Sequence, residues 1–251
     1  MLVSPVFRGR PGQGSMAAPP TPLSEGDDIP GMSLATDSYR PSPPRREPGV
    51  ALTFDDGPDP VWTPRVLEAL DRARARATFF VVTPQARRFP GLVSAALAAG
   101  HEVELHCREH VRHTDLHREE AAADTREGLR DLRALGVRPR LWRPPWGALS
   151  PWTAGLAAGF GLELALWTED THDWRGDRAP EMLSSIGATL GPGSAVLMHD
   201  GLGPGARRSG CGETVGLVEG LVASIRARGC EPAPLGQIPT APPEPGEAVG
   251  A

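Results

Sequence analysis

Five short motifs rich in acidic, histidine and arginine side chains follow one another along the chain. They are Thr53-Phe54-Asp55-Asp56-Gly57, His106-Cys107-Arg108-Glu109-His110, Arg143-Pro144-Pro145-Trp146-Gly147, Asp170-Thr171-His172-Asp173-Trp174 and Leu197-Met198-His199. Together these residue types can bind a metal ion, accept a proton, donate a proton and hold a carboxylate in place. No single motif decides the chemistry. Their order, and their shared position at the ends of apolar runs, supports a catalytic interpretation.

The second motif predicts a metal site. His106 and His110 are four residues apart, a spacing that predicts both imidazoles on one face of a helical turn. Asp56 is a candidate third ligand through a carboxylate oxygen. Two histidines and one carboxylate leave positions open for water and substrate, which is typical of catalytic rather than structural metal sites. Taken alone, the histidine pair fits surface or packing histidines equally well.

The paired acids of the first motif follow a buried strand. The run Val50-Ala51-Leu52-Thr53-Phe54 is apolar, and Gly57-Pro58 ends it as turn residues do. In isolation, Asp55 and Asp56 fit a solvated Asp-Gly turn at least as well. Adjacent carboxylates point in different directions, however, so one can bind a metal while its neighbour accepts a proton. A nearby cation and an arginine would keep both ionised near neutral pH.

The five motifs resemble those of the polysaccharide deacetylases of carbohydrate esterase family 4, the NodB-homology domain, over about residues 48 to 236. The resemblance implies that Asp55 is the general base. It also implies that Asp56, His106 and His110 bind one divalent metal, with zinc the first candidate and cobalt or nickel the alternatives.

The later motifs receive their roles from the same resemblance. Arg143 orients the base, and the backbone N–H of Trp146 helps to bind the oxyanion. His199 is the general acid and Asp173 tunes it. Trp174 and Leu197 line the pocket for the acetyl methyl group. These residues can hydrolyse an amide, because a polarised carbonyl, an activated water and a protonated leaving amine are all provided for.

Several residues depart from the family pattern or fall outside it. Cys107 occupies a position where the family has serine or threonine, and it is interpreted as a buried inert thiol rather than a further ligand. His113 and His117 are interpreted as solvated loop residues, and His101 as structural. His172 lies at a variable motif position where it could touch substrate. Two tryptophans, Trp142 and Trp167, lie on predicted strands and are expected in the core.

Composition excludes several function classes. The net charge is −5, which does not favour nucleic acid as a partner. All 26 basic residues are arginine, so neither lysine Schiff-base chemistry nor a lysine phosphate loop is possible. With three cysteines and no signal segment, free thiols are favoured, although Cys211 and Cys230 could pair. We expect a monomer.

The chain divides into three parts. Residues 1–47 and 239–251 are rich in proline and glycine and predict a disordered leader and tail around a single domain, residues 48–238. No apolar run is long enough to be a signal peptide or a membrane span. We therefore expect a cytoplasmic protein without a membrane partner, or an extracellular one if the start codon is wrongly assigned.

Alternating strands and helices must position the motifs. Strands are predicted at 49–54, 77–82, 101–105, 140–143, 162–167 and 194–198, and helices at 63–73, 90–99, 118–135, 151–159, 179–190 and 213–229. This alternation favours an α/β fold with a parallel sheet, and each motif begins where a strand ends. The pattern leaves a barrel and an open doubly wound sheet as alternatives. The resemblance implies a distorted (β/α)7 TIM-like barrel.

Three functions are consistent with these residues. The first is a metal-dependent hydrolase that removes N-acetyl groups from an N-acetylated sugar, of chitooligosaccharide or peptidoglycan type, and releases acetate. The second is an intracellular deacylase of a small N-acylated metabolite, which the missing signal peptide supports. The third is an inactive carbohydrate-binding relative, which the complete set of motif residues argues against.

Overall fold

A computed structural model describes residues 48–238; the predicted leader 1–47 and tail 239–251 lie outside the described residues. Its strands are Gly49–Asp55 (β1), Thr78–Val82 (β2), Glu102–Cys107 (β3), Leu141–Trp142 (β4), Glu163–Leu164 (β5), Glu169–Asp170 (β6), Ala195–His199 (β7) and Glu231–Ala233 (β8). Its α-helices are Trp62–Arg72 (α1), Thr83–Arg88 (α2), Pro90–Ala98 (α3), Arg118–Ala134 (α4), Thr153–Gly159 (α5), Ala179–Ile186 (α6) and Gly212–Arg226 (α7).

The strands form one parallel sheet in the order β5-β4-β3-β2-β1-β7-β6, with β8 paired to the start of β1. The sheet curls into a half-barrel with helices outside it, and no hydrogen-bonded pairing joins the edge strands β5 and β6 within residues 48–238. The prediction of a distorted (β/α)7 barrel is confirmed. A parallel sheet places all its carboxyl ends on one side, which is where the motif residues lie.

The core lies between the sheet and its helices. Leu52, Phe54 and Leu105 are fully buried on the sheet, and Leu70 and Leu221 are fully buried on α1 and α7. Side chains alternate between the two faces of a strand, so these strands turn an apolar face to the helices and carry buried polar residues such as Thr53 and Glu104 on the other face. Helix α1 begins where the carboxylate of Asp59 accepts the backbone N–H groups of Val61 and Trp62, at 2.7 and 2.8 Å.

The predicted strand 162–167 was wrong in its extent. Only residues 163–164 pair with β4, and the chain then crosses to the other edge of the sheet, where residues 169–170 pair with β7. The Arg143 side chain explains the interruption, because it donates to the carbonyl oxygens of Ala165 and Leu166, both at 3.1 Å. Because these carbonyl oxygens bind the guanidinium, they are not available to extend the pairing of β5. Three short elements were also missed: α2, β6 and β8.

None of the helices in residues 48–238 combines the length and the apolarity that crossing a membrane requires. The three cysteines, Cys107, Cys211 and Cys230, are all buried and unpaired, which confirms the prediction of free thiols.

Candidate active site

The motif residues meet in one cleft of about 490 Å³ at the carboxyl ends of β1, β3 and β7. The pairing of β1 with β7 places Asp55 directly beside His199. Eight of the ten predicted site residues line the cleft: Asp55, Asp56, His106, His110, Trp146, Trp174, Leu197 and His199. The other two, Arg143 and Asp173, are buried behind them.

Asp56, His106 and His110 form a cluster that could hold one metal ion. One candidate ligand atom from each residue lies within 4.8 Å of the others. Oδ1 of Asp56 is 3.4 Å from Nε2 of His106 and 3.1 Å from Nε2 of His110. Burial alone would raise the pKa of Asp56, but the contacts with both histidines hold that pKa well below its usual value. The carboxylate is therefore charged and available as a ligand.

The local geometry behind this cluster differs from the prediction of a helical turn. His106 lies on strand β3 and His110 in the loop that follows it. A strand end followed by a tight loop lets the chain fold back, so the two rings approach to 5.1 Å between centroids without any helix. The structure thus brings together the two histidines that the spacing singled out, but the predicted helical turn was wrong.

The surroundings of these side chains fit a metal. Nδ1 of His106 lies 2.6 Å from the carbonyl oxygen of Arg143; because a carbonyl can only accept, Nδ1 carries the hydrogen and Nε2 is free to ligate. Oδ1 of Asp56 is buried and has no directed hydrogen-bond partner within residues 48–238. A buried carboxylate oxygen without a partner is costly unless a cation binds it.

Asp55 is held by Arg143. NH1 of the arginine donates to Oδ1 of Asp55 at 2.8 Å and also to the Thr53 hydroxyl at 2.8 Å. The arginine contacts the carboxylate through NH1 alone, because its Nε and NH2 donate to backbone carbonyl oxygens. Arg143 is completely buried and lies over the Phe80 ring at 4.1 Å, so its guanidinium is fixed from several sides. One Asp55 oxygen is therefore occupied and the other is left for the cleft.

His199 is oriented by Asp173. Nδ1 of His199 lies 2.7 Å from Oδ1 of Asp173, and the backbone N–H of His199 donates to Oδ2 at 2.9 Å. Burial alone would lower the pKa of His199, but the Asp173 carboxylate outweighs it and raises the pKa to about 9. Because Nδ1–H is bound to Asp173, Nε2–H is the proton that the ring can offer to the cleft.

A sequence model described as polysaccharide deacetylase matches residues 42–165. A chitooligosaccharide deacetylase of Bradyrhizobium sp. (strain ANU 289) is 37% identical over 200 residues, covering 75% of this chain and 90% of that protein. A peptidoglycan-N-acetylglucosamine deacetylase of Bacillus cereus is 31% identical over 188 residues, covering 74% and 85%. The chain belongs to the polysaccharide deacetylase family. The resemblance inferred from the five motifs is thereby confirmed.

Solved structures agree with this assignment. A family 4 carbohydrate esterase from Streptomyces lividans, in complex with acetate, superposes with a TM-score of 0.67 at 27% identity, covering 74% of this chain and 91% of that one. The Bc1960 peptidoglycan N-acetylglucosamine deacetylase superposes with a TM-score of 0.71 at 26% identity, covering 78% and 89%. Family members are metal-dependent amide hydrolases, which is the chemistry that the cleft residues can perform.

Arg208 belongs to this deacetylase's site and was missed in the sequence. Its NH1 donates to Oδ2 of Asp173 at 2.9 Å, and its NH2 donates to the carbonyl oxygens of His199 and Gly201 at 3.1 and 3.3 Å. Thr214 also donates to Oδ2 of Asp173, at 2.7 Å. An arginine in a glycine-rich loop gives no local sign that it will reach a carboxylate 35 residues away.

Asp124 was also missed. From helix α4, its carboxylate accepts the backbone N–H groups of Arg108 at 3.0 Å and Glu109 at 2.7 Å. These two residues form the turn between His106 and His110, so Asp124 fixes the loop that presents the second histidine. Burial raises the pKa of Asp124, and the two backbone hydrogen bonds oppose that increase.

The loop after β7 packs closely on Asp56. A Cβ atom on Gly201 would lie 2.4 Å from the carbonyl oxygen of Asp56, and one on Gly203 would lie 2.1 Å from its Oδ2. Only glycine allows this approach. The glycines of 201–205 therefore close one side of the candidate metal site.

The tryptophans divide between core and cleft. Trp142 is buried as predicted, but Trp167 is not a core residue, because it is partly exposed and lines the cleft. Trp146 is 37% exposed and has a positive φ of 55°, and its ring lies 4.2 Å from that of His110 in an edge-on arrangement. Aromatic faces are thus available on several sides of the cleft.

The remaining histidines have mixed outcomes. His101 is buried and accepts the backbone N–H of Ala77, a structural role as predicted. His113 is not solvated: it is buried between Trp142 and Trp152 and lies 3.3 Å from the Thr153 hydroxyl. His117 is exposed, at the start of α4.

Two further motif residues, Cys107 and His172, complete the comparison with the sequence. Cys107 is buried, and burial raises the pKa of its thiol well above the usual value, consistent with an inert thiol. His172 lies 3.9 Å from Asp170 and does not line the cleft. A direct contact of His172 with substrate therefore gains no support.

Proposed function

We propose that this protein is a metal-dependent deacetylase that removes N-acetyl groups from an N-acetylated oligosaccharide or polysaccharide and releases acetate. One observation carries the proposal: the Asp56, His106 and His110 cluster lies in the same cleft as Asp55 and His199, which are adjacent in the sheet. The named relatives act on chitooligosaccharide or peptidoglycan, which favours a saccharide over a small acylated metabolite.

Asp56, His106 and His110 would hold the divalent ion. When bound, such an ion polarises the acetyl carbonyl and lowers the pKa of water. Two imidazoles and one carboxylate suit zinc, our first candidate, and also cobalt or nickel. We further propose that the protein acts as a monomer.

Asp55 accepts the proton of the attacking water in this mechanism. The hydrogen bond from Arg143 occupies one carboxylate oxygen and fixes the orientation of the group, so the other oxygen is left for the cleft. His199 donates its Nε2 proton to the departing amine, while Asp173 holds the ring through Nδ1. The raised pKa of His199, about 9, keeps that proton on the ring at neutral pH until the amine takes it.

Trp146, Trp174 and Leu197 surround the acetyl group in this proposal. The positive φ of Trp146 turns its backbone at the cleft, where we assign its N–H to the oxyanion. Trp174 and Leu197 provide the apolar wall for the methyl group.

Acetate release from N-acetylchitooligosaccharides and peptidoglycan fragments tests this function. The purified protein is first treated with chelator and then loaded with zinc or cobalt. We expect release that depends on the metal and that the Asp55→Asn variant lacks. Absence of release from both saccharides, by protein that binds the metal stoichiometrically, would overturn the proposal.

A further inference from the structure

Two exposed arginines stand at the mouth of the active-site cleft. Arg112 comes from the loop after β3 and Arg207 from the loop after β7, and both line the cleft. The guanidinium of Arg112 lies 4.4 Å from the ring centroid of Trp146, and that of Arg207 lies 6.0 Å from the ring centroid of Trp174. Each arginine therefore rests on an aromatic ring that faces the same cavity.

The loop after β7 brings the two pairs together. A Cβ atom on Gly205 would lie 3.9 Å from Nε1 of Trp146, and the backbone N–H of Arg207 donates to the carbonyl oxygen of Trp174 at 2.8 Å. Three residues of this loop thus span the distance from one tryptophan to the other. The two guanidinium groups flank the entrance that a substrate must use.

Neither guanidinium is neutralised by an acidic side chain of residues 48–238. The buried arginines of the site differ, since Arg143 is paired with Asp55 and Arg208 with Asp173. Stacking on tryptophan restrains an arginine side chain without removing its charge. Both mouth arginines therefore keep their charge and their outward-facing donors.

None of the acids that line the cleft lies within ion-pair distance of these two arginines. Asp55 is paired with Arg143, and Asp56 belongs to the metal cluster. Asp170 accepts the backbone N–H of His172 at 2.7 Å and lies 3.5 Å from the indole nitrogen of Trp174. A chain with a net charge of −5 thus places unpaired positive charge at the entrance of its active site. A local positive charge on an otherwise acidic protein attracts anionic ligands to this entrance.

We propose that Arg112 and Arg207 select N-acetylated saccharides in which a sugar next to the reacting acetamido group carries a carboxylate. A planar guanidinium matches a carboxylate with two parallel hydrogen bonds, so the ligand class is an acidic glycan rather than a neutral one. This inference rests on the proposed deacetylase function and names the substrate class for the same site.

The test compares two substrates that differ in the charge of one carboxyl group and in the methyl group that masks it. The first is the peptidoglycan disaccharide in which N-acetylglucosamine is joined to N-acetylmuramic acid, and the second is the methyl ester of its carboxyl group. We expect the kcat/KM of the metal-loaded protein to be about tenfold higher for the acid than for the ester, because each exposed charge pair contributes modestly to binding. The difference should lie in KM rather than in kcat. That preference should shrink as salt concentration rises.

Variants assign the preference to the two arginines. In Arg112→Gln and Arg207→Gln, the ratio of kcat/KM for acid over ester should fall, and in the double variant it should approach one. Arg88→Gln is the matched control, because Arg88 is also exposed and lies over a ring, that of Phe89, but does not line the cleft. It should keep the full ratio.

The outcomes separate this inference from the proposed function. Equal rates on acid and ester by the wild-type protein, or an unchanged ratio in the double variant, would overturn recognition of the carboxylate while leaving the deacetylase in place. Absence of acetate from both disaccharides and from neutral N-acetylchitotetraose would instead reject the deacetylase itself.

Discussion

His106 donates a 2.6 Å hydrogen bond from Nδ1 to the carbonyl oxygen of Arg143, whose own NH1 donates to Asp55 at 2.8 Å. One residue therefore orients a candidate metal ligand through its backbone and the candidate base through its side chain. The backbone N–H of Arg143 is in turn bound to the carbonyl oxygen of Leu105, at 3.0 Å, beside His106. The candidate metal site and the candidate base are consequently linked by one hydrogen-bonded network.

We expect Asp55→Asn to lower kcat for deacetylation by about 10³-fold, because the amide can still accept from Arg143 but cannot take a proton from water. Metal content should stay stoichiometric, as measured by elemental analysis after gel filtration. Asp56→Asn is the matched comparison and should lose metal instead. Undiminished turnover in the Asp55 variant would remove this residue as the base.

We expect Arg208→Gln to lower the free energy of unfolding by about 3 kcal/mol, because it removes one of the two cationic partners of the buried Asp173 carboxylate and leaves only His199. Turnover should fall as well, since Asp173 orients His199. Urea unfolding and kcat measured on the same preparation test both effects. Arg207→Gln, the exposed neighbour, should change stability by less than about 0.5 kcal/mol. Equal stability of the two variants would contradict the buried ion pair.

The sequence predicted the parts of the site that are local to a motif. The five residues Asp55, Asp56, His106, His110 and His199 lie at the carboxyl ends of strands or in the loops that follow directly. Because parallel strands bring their carboxyl ends together, the convergence of these residues could be expected. Most strands and helices could also be predicted, because apolar residues recur along them with the period of a strand or a helix.

The parts that could not be predicted depend on contacts between distant segments. Arg208 and Asp124 reach the site from a loop and a helix whose sequences carry no motif. The strand predicted across 162–167 was interrupted because a buried arginine binds its carbonyl groups. His113 was expected in solvent and is buried, because aromatic residues from two other segments enclose it.

We expect Asp124→Ala to weaken metal affinity by about 10- to 100-fold, because the turn between His106 and His110 loses both of its carboxylate hydrogen bonds. Isothermal titration with a competing chelator measures the dissociation constant. Glu127→Ala is the control: it is on the same helix, and its carboxylate contacts the side chains of Arg108 at 3.3 Å and Arg130 at 3.6 Å but no backbone N–H of the turn. Affinity unchanged in Asp124→Ala, or lost equally in the control, would show that this carboxylate does not position His110.

Glu104 should make stability depend on pH. Burial raises its pKa to about 7, although the backbone N–H groups of Arg140 and Leu141 act in the opposite direction. The unfolded carboxyl titrates near 4.5, so between about pH 4.5 and 7 the folded protein keeps a proton that the unfolded chain has lost. Stability from this group is therefore full below pH 4.5 and declines as pH rises to about 7.

Comparison with Glu104→Gln isolates this contribution, because the amide does not titrate and the other ionisable groups cancel in the difference. Relative to the variant, the wild-type free energy of unfolding should fall by about 3 kcal/mol across that window, with little change above pH 7. Urea unfolding at four pH values from 4.5 to 7.5 measures the difference. A difference that stays flat, or that rises with pH, would show that the buried carboxyl does not hold its proton.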